Sequence, residues 1–215
     1  MDAAHPGPAE APGTAPDQAL VERAYSARAA EYTALLGHID ATAPEDRRAI
    51  REWAKGCTGT VVDVGCGPGH WSGYLRAAGL DVVGLDPVPE FVAHARLAHP
   101  DVPFRVGGFD DLPSLDPAPA AILSWYSLVH LDPRRVPAAL ATAGSVLPPS
   151  GRLMVGFFTG DRLERFDHAV APAYRWPVTE MAEAVRRAGF RVTDTRTRHD
   201  PGSRPHAHLC ASRVP

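Results

Sequence analysis

The sequence has little lysine, no excess of positive charge and no long apolar run. Lys55 is the only lysine among 22 basic residues, and 25 acidic residues bring the net charge to −3. Because no basic patch stands out, we expect no nucleic-acid partner. No apolar run approaches the roughly 18 residues of a membrane-spanning helix, so we expect no membrane partner either.

Cysteine is also scarce, and we expect no secretory signal at the N-terminus. The three cysteines, Cys57, Cys66 and Cys210, are an odd number without metal-ligand spacing. They predict reduced thiols, a cytoplasmic location and no resident metal. The N-terminus has no basic start followed by an apolar stretch. Residues 1–16 are instead rich in Ala, Pro and Gly, and we predict a disordered tail.

The remaining chain is ordinary in composition, with 45% hydrophobic and 22% charged residues. Apolar residues recur at three- and four-residue steps from Asp17, and Gly37 follows, which predicts one helix over this stretch. Pro44 opens a second helix that ends near Lys55. Residues 17–56 are therefore predicted to form an N-terminal helical cap.

From Thr60 short apolar runs alternate with helical segments, a pattern typical of parallel βαβ units with helices on both faces of the sheet. Helices are predicted near His70, Pro89 and Pro133 and over residues 177–189. Only DPGSRP joins the last two strands, which is too short for a crossover and makes them antiparallel neighbours. The predicted strands lie at 60–65, 80–86, 102–107, 120–127, 151–158, 190–197 and 206–212.

Three motifs follow the predicted strands. VVDVGCGPGH (61–70) joins a strand to a helix through a Gly-rich turn that suits a phosphate or an amino-acid carboxylate. Asp86, 17 residues after Gly69, ends the next strand and could bind both ribose hydroxyls of an adenosine. The third, FRVGGFDDLP (104–113), could bring backbone amides and a ring to an adenine. A tight turn and an N-cap for the helix at Pro89 remain the simpler interpretations of the first two.

Together with WYSLVHL (125–131) and VLPPSGRLMVGFF (146–158), these motifs make the sequence resemble class I S-adenosylmethionine (SAM)-dependent methyltransferases from about Asp17 to the C-terminus. The resemblance implies a Rossmann-like α/β fold. It has a seven-stranded mixed sheet with an antiparallel last strand, helices on both faces and an N-terminal helical cap. Residues 57–215 would form the SAM-binding domain, with 159–176 as a substrate-side insert.

The resemblance also implies a role for each matching residue. Asp63, Gly65, Cys66, Gly67 and Gly69 would hold the methionine part of SAM. Asp86 would bind the ribose, and Pro87 would pack on the adenine. The remaining cofactor-binding residues would lie around the adenine edge (Gly108, Phe109 and Asp110), at the methionine amine (Ser124 and Trp125) and in the cap (Tyr25 and Tyr32).

One departure from the family pattern concerns the adenine loop. Gly108 stands where the family usually has an aspartate. Either Asp110 or Asp111 replaces that carboxylate, or backbone groups suffice.

Histidine side chains are the candidate catalytic bases, because their pKa lies near neutrality. His130 follows the fourth strand and His168 lies in the insert. His130 could instead only cap or pack beneath the cofactor, and His168 could be only a surface or pocket-lining residue. Tyr126 could contact the acceptor, and Arg162, Arg165 and Arg175 could bind an acidic one, although core packing and solvated loop charges are the simpler interpretations. His206 and His208, two residues apart, lack a third metal ligand.

The insert is short, so we expect a small organic acceptor, methylated on oxygen, and S-adenosylhomocysteine (SAH) as the product. The sequence leaves the monomer and the homodimer open. One alternative is a SAM- or SAH-binding protein of this fold that transfers no methyl group and instead catalyses a rearrangement or regulates a partner. An NAD-dependent dehydrogenase is disfavoured, because GCGPG departs from the dinucleotide spacing of glycines.

Overall fold

The computed structural model describes residues 18–215. The predicted tail, residues 1–16, and the predicted helix start at Asp17 lie outside these residues. Three α-helices open the described chain: α1 (Gln18–Ala27), α2 (Ala29–Leu36) and α3 (Pro44–Ala54). The prediction of one continuous helix before Gly37 was wrong, because the backbone leaves helical geometry at Arg28, with φ −117° and ψ 13°.

Strands and helices then alternate as predicted from the sequence. The strands at 61–64, 82–86, 121–125 and 152–159 are largely buried, which explains their near-continuous apolar sequences, whereas the strand at 104–106 buries only Phe104. The elements are β1 (Val61–Val64), α4 (His70–Ala77), β2 (Val82–Asp86), α5 (Pro89–Ala98), β3 (Phe104–Val106), β4 (Ala121–Trp125), α6 (Val136–Val146), β5 (Arg152–Thr159), β6 (Glu164–Phe166), β7 (Ala173–Trp176), α7 (Val178–Arg187), β8 (Phe190–Arg198) and β9 (His206–Arg213).

The predicted seven-stranded mixed sheet is confirmed in the order β3-β2-β1-β4-β5-β9-β8. All neighbours from β3 to β5 are parallel, and β9 runs antiparallel to both β5 and β8. The insert adds β6 and β7, which the sequence did not predict. Because β9 occupies one edge of β5, β7 pairs with Phe158 and Thr159 on the other edge, beyond the end of β4.

Side chains alternate across the sheet and form a core on each face. On one face, Val62 and Ile122 pack with α6 and α7. On the other, Val61 and Leu123 pack with α3, α4 and α5. No helix within residues 18–215 is both long and apolar enough to cross a bilayer.

The strand order reverses between β1 and β4, whose neighbours lead away in opposite directions. Open α/β sheets bind ligands at such a point, outside the carboxyl ends of the strands. The topology therefore brings the loops after β1, β2 and β4 to one edge, where α1 and α2 pack against α5.

Candidate functional site

A cavity of about 540 Å³ lies at this switch point. Its volume falls within the range of roughly 300–1,000 Å³ that is usual for small-molecule sites. The walls come from α1 and α2, the turn into α3, the loops after β1, β2 and β4, the end of β5 and the insert. The predicted site residues that line it are Tyr25, Tyr32, Gly65, Cys66, Gly67, Asp86, Pro87, Trp125, His130 and His168.

The Gly-rich turn forms part of the cavity wall and is fixed to the neighbouring strand. The amides of Gly65 and Cys66 donate to the carbonyl of Leu85 over 2.7 and 3.0 Å. Gly67 has φ +54°, and a Cβ added there would meet no atom within 4 Å. At Gly65, in contrast, it would meet the Cβ of Ser127 at 2.2 Å. Gly67 is therefore the glycine of this turn that borders open space.

Gly69 has a packing role instead. A Cβ there would lie 2.8 Å from the Cβ of Ala95 and 2.9 Å from the Phe104 ring. The residue is absent from the cavity wall. It lets the start of α4 pack closely against α5 and β3.

Asp86 is buried, and backbone groups hold its carboxylate. One oxygen accepts the N–H of Gly67 at 2.8 Å and the other accepts the N–H of Val88 at 2.9 Å. Burial raises its pKa to about 6. Each oxygen retains a further lone-pair site for a ligand hydroxyl. Asp86 is not the N-cap residue of α5. Val88 occupies that position, and it makes no side-chain capping hydrogen bond.

Two further ionisable groups lie under the turn. Asp63 accepts a hydrogen bond from the Ser72 hydroxyl at 2.7 Å, and burial raises its pKa to about 7. Burial also raises the pKa of the Cys66 thiol well above its usual value. The thiol therefore stays protonated, which agrees with a packing role rather than a nucleophilic one. Asp63 itself is fully enclosed and does not reach the cavity.

The N-terminal helices are attached to α5 by an aromatic cluster. The Tyr25 ring lies 5.6 Å from Tyr32 and 5.9 Å from Phe91, measured between centroids. Ala29 and Val88 complete the cluster. Both predicted cap tyrosines therefore meet at the cavity wall.

His130 has both ring nitrogens engaged. Nδ1 lies 2.9 Å from the carbonyl oxygen of Pro172, and Nε2 lies 2.7 Å from the hydroxyl of Tyr25. A carbonyl can only accept, so Nδ1 carries the hydrogen and Nε2 accepts the Tyr25 proton. Burial lowers the pKa of His130, which favours this neutral form.

His168 also lines the cavity, 5.3 Å from His130 between ring centroids. Its Nδ1 is buried and has no hydrogen-bond partner within residues 18–215. Burial, followed by the charges of His130 and Arg204, lowers its pKa to about 4. At neutral pH the ring is uncharged and can accept a proton.

Six predicted cofactor residues lie off the cavity wall: Asp63, Gly69, Gly108, Phe109, Asp110 and Ser124. Their predicted roles stay predictions.

In the adenine loop, the carboxylate of Asp111 accepts the N–H of Gly108 at 2.8 Å, and Asp110 forms an exposed 3.6 Å ion pair with Arg135. Phe109 packs against the core. The hydroxyl of Ser124 is buried, 2.6 Å from that of Ser127.

Tyr126 also lines the cavity, whereas the candidate arginines and the pair His206 and His208 lie away from it. Arg162 and Arg175 pair with Glu164 at 3.2 and 3.9 Å, and Arg165 is exposed. His206 and His208 line a separate cavity beside α3. Across residues 18–215 no three His, Cys, Asp or Glu side chains are arranged to hold a metal ion.

The sequence reasoning missed several cavity residues, among them His70, Phe91 and Asp46. His70 directly follows the Gly-rich turn, so its position in the motif could have indicated it. Asp46 carried no such signal, because the packing of α3 against the sheet brings it to the cavity.

The geometry defines a class I SAM-dependent methyltransferase fold, and comparisons with known proteins agree. Residues 61–151 match the methyltransferase domain family. Two solved structures share the architecture. The magnesium protoporphyrin IX methyltransferase of Synechocystis, with bound SAH, has a TM-score of 0.73 at 17% identity over 92% of this chain and 100% of its own. The Burkholderia thailandensis 1,6-didemethyltoxoflavin N1-methyltransferase, with 1,6-didemethyltoxoflavin and SAH bound, has a TM-score of 0.67 at 23% identity. The match covers 98% of this chain and 99% of that protein.

Sequence relatives are also methyltransferases. An uncharacterized methyltransferase of Mycobacterium tuberculosis is 32% identical over 148 residues, which are 69% of this chain and 55% of the relative. A ubiquinone biosynthesis O-methyltransferase of Xylella fastidiosa is 36% identical over 44% of this chain and 40% of its own length. The chain thus spans about half the length of these relatives. The chain therefore contains a methyltransferase domain, in a fold that it shares with class I SAM-dependent methyltransferases.

Proposed function

We propose that this chain binds SAM and transfers its methyl group to an oxygen atom of a small organic acceptor, in the cytoplasm. The observation that carries the proposal is the pairing of Gly67 and Asp86. A left-handed glycine with open space beside it lies next to a buried carboxylate that retains acceptor capacity. Family relatives that methylate oxygen, such as the ubiquinone enzyme, support the choice of accepting atom.

The residues of the cavity fit SAM chemically. The Gly-rich turn leaves room for the amino-acid part, and the two oxygens of Asp86 suit the two ribose hydroxyls. Tyr25 and Tyr32 supply apolar cover from the N-terminal side. Glu22, Asp46 and Asp86 line the cavity, and their carboxylates complement a positively charged sulfonium.

Bound SAM supplies an activated methyl group, so the protein mainly contributes alignment, exclusion of water and removal of a proton. Tyr25, held by His130, and the insert cover the cavity and exclude water. We assign proton acceptance from an acceptor hydroxyl to His168, because its Nδ1 has no partner among residues 18–215. His130 acts as a positioning residue, because Tyr25 occupies its only acceptor nitrogen.

The test is calorimetric binding of SAH to wild-type protein and to two matched glycine variants. Gly67→Ala and Gly79→Ala each place a Cβ on a left-handed backbone, at φ +54° and +87°, with no atom within 4 Å. The conformational cost, about 1–2 kcal/mol, is therefore similar. Only Gly67 lines the cavity. We expect SAH affinity to fall at least tenfold in Gly67→Ala and to stay unchanged in Gly79→Ala.

Equal SAH affinity in Gly67→Ala and wild type would contradict the cofactor assignment. Methyl transfer itself is tested by mass spectrometry of acceptor screens with SAM. A gain of one methylene with release of SAH supports transfer. Binding of SAH without transfer to any acceptor would favour the alternative of a SAM-fold protein with a structural or regulatory cofactor.

A further inference from the structure

Tyr126, at the carboxyl end of β4, has an unfavourable backbone conformation. Its φ is +58°, and Ser150 is the one other non-glycine residue of the described chain with positive φ. An aromatic residue rarely adopts this left-handed geometry, because its Cβ crowds the following carbonyl. Hydrogen bonding of its amide to the carbonyl of Gly156, at 2.9 Å, helps to hold the conformation. Such outliers cluster at ligand sites.

The consequence of this conformation is an aromatic wall in the cavity. The Tyr126 ring lies 5.0 Å from Phe158 and 5.6 Å from Trp125 between centroids, and all three line the cavity. The Tyr126 hydroxyl makes no hydrogen bond to any residue in 18–215 and is not among the buried polar atoms of that stretch without a partner. It is therefore open to a ligand. His168 borders the same wall, 5.7 Å from Phe158.

The charges on the cavity wall are of one sign. Glu22, Asp46 and Asp86 line it, and within the described residues no arginine or lysine does. The nearest guanidinium groups are already engaged. Arg198 contacts Asp46 and two further carboxylates, those of Glu45 and Asp200.

Arg204 stacks on Phe166, with its guanidinium carbon 5.0 Å from the ring centroid, and bonds the backbone of Asp167. The insert arginines Arg162 and Arg175 pair with Glu164. A carboxylate-bearing acceptor would therefore find no free cation in this wall.

We propose that Tyr126, Trp125 and Phe158 form the acceptor subsite, and that the acceptor is a flat aromatic molecule that is uncharged or cationic. The proposal rests on the proposed function, since it assigns the acceptor half of the same cavity. Ring stacking on Tyr126 and Phe158 selects a flat shape. The carboxylates on the wall select against anions.

Four probes that share one ring skeleton test the proposal on the full chain saturated with SAH. They are 2-naphthol, 2-naphthylmethylammonium, 2-naphthoate and decahydro-2-naphthol, measured by ligand-observed NMR titration. We expect the first two to bind and 2-naphthoate to bind at least about tenfold more weakly than 2-naphthol, because the wall holds only negative charge. The saturated alcohol should also bind more weakly, since it cannot stack.

Two variants locate the subsite. Tyr126→Gly and Ser150→Gly each replace a left-handed residue, at φ +58° and +65°, with the one residue that adopts this backbone freely. Both changes relieve the backbone, but Tyr126→Gly also removes a ring that packs against the core, so circular dichroism and melting must first show that this variant is folded. We expect 2-naphthol affinity to fall about tenfold in Tyr126→Gly and to stay unchanged in Ser150→Gly. Tyr126→Phe retains stacking and should lose only the contribution of the hydroxyl.

Each outcome separates this proposal from the cofactor assignment. If SAH fails to bind, the proposed function is wrong. If SAH binds but 2-naphthoate or decahydro-2-naphthol binds as tightly as 2-naphthol, the acceptor class is wrong. Absence of binding by all four probes to the SAH complex also overturns it. Unchanged affinity in Tyr126→Gly would remove Tyr126 from the subsite.

Discussion

At the scale of single residues, the same type of side chain takes different roles according to its partners. Asp63 and Asp86 are both buried carboxyl groups that follow apolar residues in strands. Asp63 is enclosed with Ser72, whereas Asp86 reaches the cavity. Only Asp86 can therefore meet a ligand directly, and its ionisation should control cofactor affinity.

We predict that SAH affinity falls as the pH drops below the Asp86 pKa of about 6. Protonation removes acceptor capacity for the ribose hydroxyls, and a lost charged hydrogen bond is worth roughly 1.5–3 kcal/mol. Calorimetry at pH 5 and pH 7.5 checks this. Asp86→Asn should bind SAH weakly at both values, because its amide has no charge to lose. A wild-type affinity that is equal at the two pH values would contradict the ribose assignment.

Substitutions of the two cavity histidines should have different kinetic effects. We predict that His168→Ala lowers kcat by about 10²–10³ with unchanged SAH affinity, because it removes the proton acceptor. With a pKa of about 4, His168 stays unprotonated above pH 5, so kcat at saturating SAM and acceptor should show no acidic fall between pH 5.5 and 8. A fall centred near pH 6.5 would indicate a different base. His130→Ala should instead remove the hydrogen-bond partner of the Tyr25 hydroxyl and change the rate of SAH release.

At the scale of elements, the N-terminal helices and the insert are joined over the cavity. Arg28, where α1 gives way to α2, donates to the carbonyl of Ala169 and pairs with Glu31. His130 connects Tyr25 on α1 to Pro172 in the insert. Through these contacts the N-terminal helices and the insert cover the cavity together, although they are distant in sequence. The boundaries predicted from the sequence for the helical cap and for the insert stay predictions.

We predict that Tyr25→Phe accelerates SAH dissociation about three- to tenfold while leaving the aromatic cluster in place. The change removes the hydroxyl that donates to His130, and a hydrogen bond of this kind contributes about 1 kcal/mol. Tyr32→Phe is the matched control, since its hydroxyl makes no hydrogen bond within residues 18–215. Stopped-flow measurement of SAH release checks both. Equal rates of SAH release in the two variants would mean that the hydrogen bond from Tyr25 to His130 does not slow SAH release.

At the scale of the whole molecule, the buried carboxyl group of Asp63 links folding stability to pH. Its pKa is about 7 in the fold and 3.8 as a free side chain. Between these values the folded state binds the proton more strongly, so stability declines as the pH rises from about 4 to 7, and the loss is complete above 7.

We predict that Asp63→Asn melts several degrees higher than wild type at pH 8.5, and that this advantage is less than half as large at pH 5, where only part of the loss has occurred. The amide has no charge to bury, and in a domain of this size about 1 kcal/mol corresponds to roughly 2–4 °C. Melting curves without added SAH, followed by circular dichroism, check this. A wild-type advantage at pH 8.5 would mean that Asp63 is ionised and favourably paired in the fold.

The sequence by itself determined the fold class, the alternation of strands and helices and the motifs at the strand ends, because these depend on local patterns. Apolar runs, helical periodicity and the glycines of 61–70 act over a few residues, and the short DPGSRP link made β9 antiparallel. The same local rules placed Asp86 at a strand end. They could not place the interruption at Arg28 or the pairing of β6 with β7, because tertiary packing overrides weak local preference there.

Only the tertiary structure decided the hydrogen-bond partners of the histidines and the aromatic and charged lining of the cavity. The tautomer of His130 depends on Tyr25 and Pro172, which are 105 and 42 residues away. Asp46 reaches the cavity through the packing of α3, and the exposed carboxylate of Asp111 accepts the N–H of Gly108. A proton's position and a cavity's charge are set by atoms that meet in space, and spacing along the chain does not specify those meetings.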